Sequence, residues 1–558
     1  MARLAEAMAP GRAWLSHRRT AFAIGVAALL ALRIWLALTL RVNSDETQHL
    51  HVVWSWTQGL LPYRDLFDNH APLFHILYAP LLAALGERAD IVPWMRLAVI
   101  PWYALTLWLT YRLATVLFDR RIAWIALAIT ALQPTFFTRS VEFRPDDAWA
   151  AAWIASLLVA VSGPPTPRRA LQCGLLAGLA LAFSIKSAVL IASALLAAAL
   201  VLAIQTWQRR QPGTGETLRI ATMTAIGGAV LPITIAVAFT LAGAGEAIRY
   251  CLFVHNVADG LGRWSHHGWR LLAFPLLLPA LAAAMCWSLR AGDHAYRASL
   301  RAWVFGVGLI YAALRVSYQP LLDKQDVLPL VPMLAPFAAA LLVHLTTKPA
   351  RTRATVAGFV LAELALTLLH GRPWRDEARQ YALELHTLLQ LSSPGDYVMD
   401  DKAESIFRAR PSYWLLENVT LHRLAEGSID DDIAARLVND RVGVGVFERE
   451  RGNDLDFVRR NYVAIAPHVD VAGKMLGAAD TGAAIGFDVS VPNRYAIVSD
   501  SGNVAGTLDG EPYSAPLELG AGPHEFIPLQ RGVWALESAR AAALGYSPFG
   551  TGLKAAPP

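Results

Sequence analysis

The feature that most restricts this chain is the repetition of long apolar runs. They occupy residues 21–40, 93–117, 121–138, 147–162, 170–185, 187–206, 220–242, 271–289, 302–317, 327–346 and 354–370. A helix needs about 20 apolar residues to cross a bilayer core of about 30 Å. The lipid core satisfies no backbone groups, so each span must bond to itself as a helix. The reading is a polytopic α-helical membrane protein with about 11 transmembrane helices plus juxtamembrane helices. The charged fraction, 17%, is well under the roughly 25% of a soluble domain. Only three cysteines occur, Cys173, Cys251 and Cys286, with no Cys-x-x-Cys pair, which argues against a disulfide framework or a zinc module.

Charge then orients the spans. Residues 1–20 carry four arginines, and the run after them lacks a small-residue cleavage site, so it reads as an uncleaved first span with residues 1–20 cytoplasmic. A further apolar stretch, 71–86, is short and holds Pro72, His75 and Pro80. It reads as a juxtamembrane or re-entrant helix. With that choice Arg120-Arg121, Arg168-Arg169, Arg209-Arg210, Arg290 to Arg301 and Lys348 to Arg353 all face the cytoplasm, as the positive-inside rule requires. The net charge of +5 therefore belongs to loops at a membrane and implies no nucleic-acid partner. The mixed-charge segments 41–95, 138–147, 184–186, 243–270 and 317–326 collect on the outer side. The expected location is the cell inner (plasma) membrane, multi-pass, with residues 371–558 extracytoplasmic. That last part reads as α/β over 371–485 and β-rich over 486–558, with turn signals at Asp500-Ser-Gly502, Leu508-Asp-Gly510 and Ala521-Gly-Pro523.

Within the region 21–370 the outer segments hold the groups fit for chemistry. Asn43 to His75 contains Asp45, Glu46, Asp65 and Asp68 with His49, His51, His70 and His75. Such density beside a span is expensive to place and points to function. A carboxylate just outside a span can act as a general base on a hydroxyl or amine, or bind a divalent metal. Ser44-Asp45-Glu46 also suits the first turn of a helix. Pro62-Tyr63-Arg-Asp-Leu-Phe-Asp68-Asn-His70-Ala-Pro72 reads as a rigid loop that holds polar side chains over the membrane surface. Arg96, Arg144, Lys186 and Lys324 are isolated cations on the outer side, against the charge bias. Together they suit a phosphate, which arginine can grip as a fork.

Five features in order carry a family resemblance. They are a first span followed by Asp45-Glu46, then Gly59-x-x-Pro-Tyr63-Arg-Asp leading to His70-Ala-Pro-Leu73, then Met95-Arg96-Leu97, then Arg144-Pro-Asp146, then a charged loop ending at Leu328-Pro329. The region of about residues 20–370 that they span resembles the GT-C superfamily of polyprenyl-phosphate-dependent glycosyltransferases. Its bacterial branch includes the lipid A aminoarabinose transferase and rhizobial lipopolysaccharide sugar transferases, with protein O-mannosyltransferases more distant. The resemblance implies inverting transfer from a polyprenyl-phosphate sugar donor to a glycan, lipid or protein acceptor of the cell envelope, on the outer face of the membrane. It implies Asp45 as base with Glu46 orienting it, and Arg96, Lys324 and Arg144 at the donor phosphate. Tyr63, Asp68, His70 and Asp146 are the expected substrate-binding residues. No fixed metal pattern comes with it. Relatives often carry two prolines after the histidine or lysine of the second motif, where this chain has His70-Ala71-Pro72, so the sugar stays open. A flippase or transporter of lipid-linked sugar would also gather cations at a membrane face, but would be expected to show inverted repeats and midplane charges, and neither is seen. A non-catalytic envelope assembly protein is the remaining alternative.

Overall fold

The structure, a computed structural model, describes residues 2–207, 214–257, 295–318, 324–346, 348–450 and 452–550. The expected run 271–289, Cys286, His266 and His267 lie outside these. The first part is helical: α1 (Ala2–Thr39), α2 (Ser44–Thr57), α3 (Leu73–Leu85), α4 (Ile91–Ala98), α5 (Ile100–Leu117), α6 (Arg120–Leu132), α7 (Pro134–Arg139), α8 (Asp146–Val161), α9 (Pro167–Phe183), α10 (Ser187–Trp207) and α11 (Thr214–Leu241). Helices Ala295–Tyr318, Leu330–Leu345 and Pro349–Gly371 follow. Among the described residues, six helices are long and apolar enough to cross a membrane. Large apolar side chains point outward, such as Leu195, Leu241 and Leu361, at 66%, 84% and 64% exposure. A water-soluble surface rarely shows so many, whereas lipid accepts them.

Two expected runs are interrupted. The run 93–117 is split at Val99 into α4 and α5, with a proline near the start of α5. The run 121–138 breaks at Gln133, whose side chain accepts the Phe136 N–H and caps α7, with Pro134 at its first position. Proline tolerates a first turn because it has no N–H to leave unpaired.

Helices α9 and α11 pack backbone to backbone through glycines. A Cβ added at Gly174 would lie 2.1 Å from the Thr224 carbonyl oxygen, and one at Gly178 would lie 2.6 Å from that of Gly228. Small residues let membrane helices approach closely, which is where their association energy arises. Gly174→Leu is expected to cost at least the roughly 1–3 kcal/mol typical of overpacking. A drop in melting temperature in detergent measures it, and an unchanged value would refute this contact.

The second part starts with the helix Ala378–Leu391 and leads into two antiparallel sheets. The strands are β1 (Val444–Gly445), β2 (Tyr462–Ala466), β3 (Val469–Ala479), β4 (Ile485–Val489), β5 (Asn493–Ser499), β6 (Gly506–Leu508), β7 (Glu511–Pro512), β8 (Leu517–Leu519), β9 (Gly522–Pro528) and β10 (Gly532–Ser538). One sheet runs β1-β3-β10-β5-β8 with β2 also on β3, and the other runs β4-β9-β6-β7. Trp534, Leu536 and Ile497 of the first share a core with Phe526, Phe487 and Leu508 of the second. Because β3 pairs with β10, one sheet draws strands from both sides of the expected division at 485/486.

This part is bound to the helical part by long-range contacts. Arg408 forks onto Glu87 at 2.7 and 2.9 Å. The Thr47 hydroxyl donates to the Lys402 carbonyl at 3.0 Å, and His51 Nδ1 lies 2.9 Å from the Ile406 carbonyl oxygen. The segment 399–417 is therefore clasped against α2.

Candidate active site

The site begins at the N-terminus of α2. Asn43 is the cap, and its side chain accepts the Asp45 N–H at 3.0 Å. Glu46 reaches back to accept the Asn43 N–H at 3.0 Å, completing a capping box. Its carboxylate also receives a fork from Arg96, at 2.8 and 2.6 Å, and the Phe143 N–H at 2.8 Å. Arg96 spends its remaining donors on the carbonyls of Ala37, Leu40 and Arg41. All five guanidinium N–H groups are thus used. Both side chains are at 0% exposure. Arg96 therefore has no donor left over in this arrangement, and Glu46 faces the interior. The pair pins the end of α1, the start of α2, α4 and the loop at Phe143 to one another.

The helix turn that buries Glu46 turns Asp45 the other way. Asp45 keeps 24% exposure and lines a cavity of about 1110 Å³. Arg144 pairs with its Oδ2, and Lys402 Nζ with its Oδ1. Burial alone would raise this carboxyl, but the two cations outweigh it and hold Asp45 well below the usual carboxylate range. Arg144 is aimed by Asp146, which accepts its Nε at 2.9 Å and also the Trp149 indole N–H at 3.1 Å. Asp146 is itself buried and holds Arg144. Glu142 lies beside this cluster, 3.9 Å from the Arg144 Nε. Burial pushes Glu142 up to about 7, against the pull of Arg144.

The loop before α3 forms the next wall. Tyr63 has φ 71°, rare for a bulky residue. It is buried, and its hydroxyl donates to the His70 carbonyl at 2.6 Å, bracing the loop. Asp68 is fully buried, with Oδ1 2.9 Å from His70 Nδ1 and Oδ2 3.5 Å from His75 Nδ1. His75 Nε2 in turn lies 2.9 Å from His49 Nδ1. His70 ends this buried chain and lines the cavity. Tyr63 and Asp68 do not line it; both hold His70. Among the described residues no group of three or more His, Cys, Asp or Glu side chains is arranged to hold a metal ion.

Cations dominate the remaining wall. Lys186 lies 3.1 Å from Asp326, which also pairs with Arg315. Lys324, Arg139 and Arg449 complete the lining, against the carboxylates of Asp45 and Glu417. The cavity draws on residues from all five segments expected on the outer side: Asn43 to Ala71, Arg139 and Arg144, Lys186, Asn256, and Lys324 with Gln325. Of the expected site residues, Asp45, Arg144, Lys324 and His70 meet there. Arg315, Lys402 and Arg449 were missed. A lone arginine in the apolar run 302–317 was a usable signal for Arg315. Lys402 and Arg449 sit in a part of ordinary soluble composition, where nothing marks them.

Residues 69–225 match a family model described as dolichyl-phosphate-mannose-protein mannosyltransferase. No curated protein matches the chain. Among solved structures, ArnT from Cupriavidus metallidurans in the apo state is similar, with TM-score 0.53, 13% identity, 82% of this chain and 98% of that chain covered. The same protein bound to undecaprenyl phosphate gives TM-score 0.46, 14% identity, 72% and 88% coverage. An Archaeoglobus fulgidus oligosaccharyltransferase in complex with Zn and sulfate gives TM-score 0.43, 12% identity, 90% and 96% coverage. The matching family model describes a mannosyltransferase, and the likeness to apo ArnT shows a shared fold.

Proposed function

We propose that the chain is an inverting glycosyltransferase that moves a sugar from a polyprenyl-phosphate donor to an acceptor at the outer face of the cytoplasmic membrane. The observation that carries this reading is one cavity lined both by Asp45 and by Lys186, Arg315 and Lys324. In the reaction the acceptor oxygen or nitrogen attacks C1 of the sugar from the face opposite the phosphate. The C1–O bond to phosphate breaks, its electron pair stays on the phosphate, and the acceptor proton passes to Asp45. The leaving group is already anionic, so fixed cations stabilise it without a proton donor. Arg144 holds Asp45, and Glu46 with Arg96 fixes the helix turn that presents it. Lys324 keeps its expected place at the phosphate, joined by Lys186 and Arg315, while Arg96 is left out. The family match and the shared fold support the donor class. The outer-face placement rests on the loop charges.

The test is transfer from a labelled polyprenyl-phosphate sugar pool in membranes with and without the protein. Product that depends on the protein, with the opposite anomeric configuration to the donor, is expected. Protein-independent product, or retained configuration, would contradict the reading. Lys324→Ala is expected to raise the donor KM about tenfold, the size of one charge-assisted hydrogen bond. An unchanged KM would remove Lys324 from the phosphate site.

A further inference from the structure

The second sheet-bearing part of the chain places a charged group against Asp45. Lys402 follows strand-like residues that lead into a clasped segment, and that segment is heavily braced. Asp400 accepts the N–H of Ala403 at 2.9 Å and of Ser405 at 2.8 Å, and pairs with Arg410 at 2.7 Å. Ala403 and Ile406 take φ values of 62° and 49°, left-handed backbone that non-glycine residues adopt only when held. The Lys402 N–H donates to Glu404 Oε2 at 2.7 Å, and its carbonyl accepts from Thr47. A segment fixed this firmly delivers the ammonium to one place, Oδ1 of Asp45, within the cavity. The cations that face Asp45 are then Arg144 and Lys402, with the titratable imidazole of His70 beside them.

That arrangement conflicts with catalysis. A carboxylate clamped on both oxygens by cations is a weak base, and a general base works best with a pKa near the operating pH. Arg144 is committed from behind by Asp146. Lys402 sits on a flexible four-carbon stem, its ammonium paired with Asp45. Resting on the proposed reaction, we propose that Lys402 is a positioning residue that gates Asp45. Its ammonium closes the base in the unliganded protein, and the donor phosphate draws the ammonium away when the lipid-linked sugar enters. The base is then released only when the donor is in place, and the second part of the chain completes the site.

A double-mutant cycle on ligand binding tests this in the purified full chain, with undecaprenyl phosphate as the probe. Asp45→Asn releases Lys402 and is expected to tighten binding about tenfold, and Lys402→Met to weaken it about tenfold. In the double variant the gain from Asp45→Asn is expected to vanish. An equal gain with and without Lys402 would overturn the gate, because it would report plain relief of repulsion. Lys402→Arg, which keeps the charge, is expected to retain the coupling. Lys402→Gln replaces Lys402→Met in the cycle if the latter does not fold. Inorganic phosphate is expected to reproduce the coupling at higher concentration, and the same coupling with the uncharged polyprenol would overturn it. In transfer assays the acid limb of the kcat/KM profile is expected to move to higher pH in Lys402→Met, since losing a cation raises a carboxyl pKa. A purely structural Lys402 would lower yield without moving that limb. Coupled binding without any sugar transfer would refute the proposed reaction while leaving the gate intact.

Discussion

Asp45→Asn is expected to cut sugar transfer by about 10²–10⁴-fold, the usual contribution of a positioned base. Asparagine keeps the shape and one acceptor oxygen but cannot take the acceptor's proton. The loss is expected in kcat. Donor binding is expected to survive, because on the proposed reading Lys186, Arg315 and Lys324 of the same cavity hold the phosphate. The fold survives too, since the neighbouring Glu46 carries the helix cap and the buried ion pair. Purified variant with normal melting behaviour, donor binding no weaker than wild type and almost no product is the expected result. Transfer at near wild-type rate would return Asp45 to a helix-start residue. The pH profile adds a second check. Arg144 and Lys402 outweigh burial and hold the Asp45 carboxyl well below its ordinary value. The free enzyme's kcat/KM should therefore not fall through titration of Asp45 anywhere above the ordinary aspartate pKa of about 4.

Arg96→Met is expected to destabilise the protein by about 3–5 kcal/mol, the cost of leaving one member of a buried ion pair without its partner. Here the loss extends beyond Glu46. The carbonyls of Ala37, Leu40 and Arg41 would also lose their donor in the interior. Arg96→Lys is expected to rescue little, because an ammonium cannot reproduce the fork. Melting temperature and the yield of monodisperse protein in detergent report the effect. The outcome separates two roles. A phosphate ligand would lose donor affinity at normal stability, whereas the structural role lowers stability first. Normal melting with a raised donor KM would contradict the buried-pair account.

Both expectations turn on residues that look alike in the sequence. Asp45 and Glu46 are adjacent carboxylates, and one helix turn sends them to opposite sides, one to a cavity and one to the interior. Arg96 and Arg144 both read as isolated cations in the sequence, yet one is saturated by five hydrogen bonds and the other lines the cavity. Spacing along the chain does not separate them, because the deciding partners lie far away: Phe143 is 97 residues from Glu46, and Ala37 is 59 from Arg96. What was legible was the membrane class, from apolar runs, and the clustering of five loops, from the bias of basic residues to the other side. That bias is a collective property and survives errors at single residues. Lys402 was not legible, since it meets Asp45 across 357 residues from a part with no membrane signal. The pairing of β3 with β10 is hidden for the same reason, because strand partners as far apart as Ala479 and Gly532 leave no local pattern.

The most direct measurement is an experimental structure of the Asp45→Asn protein with a polyprenyl-phosphate sugar bound. The account predicts the phosphate within hydrogen-bond distance of Lys186, Arg315 or Lys324. It also predicts the sugar C1 facing position 45, with Lys402 turned toward the phosphate. A phosphate outside this cavity, or a sugar turned away from position 45, would contradict it.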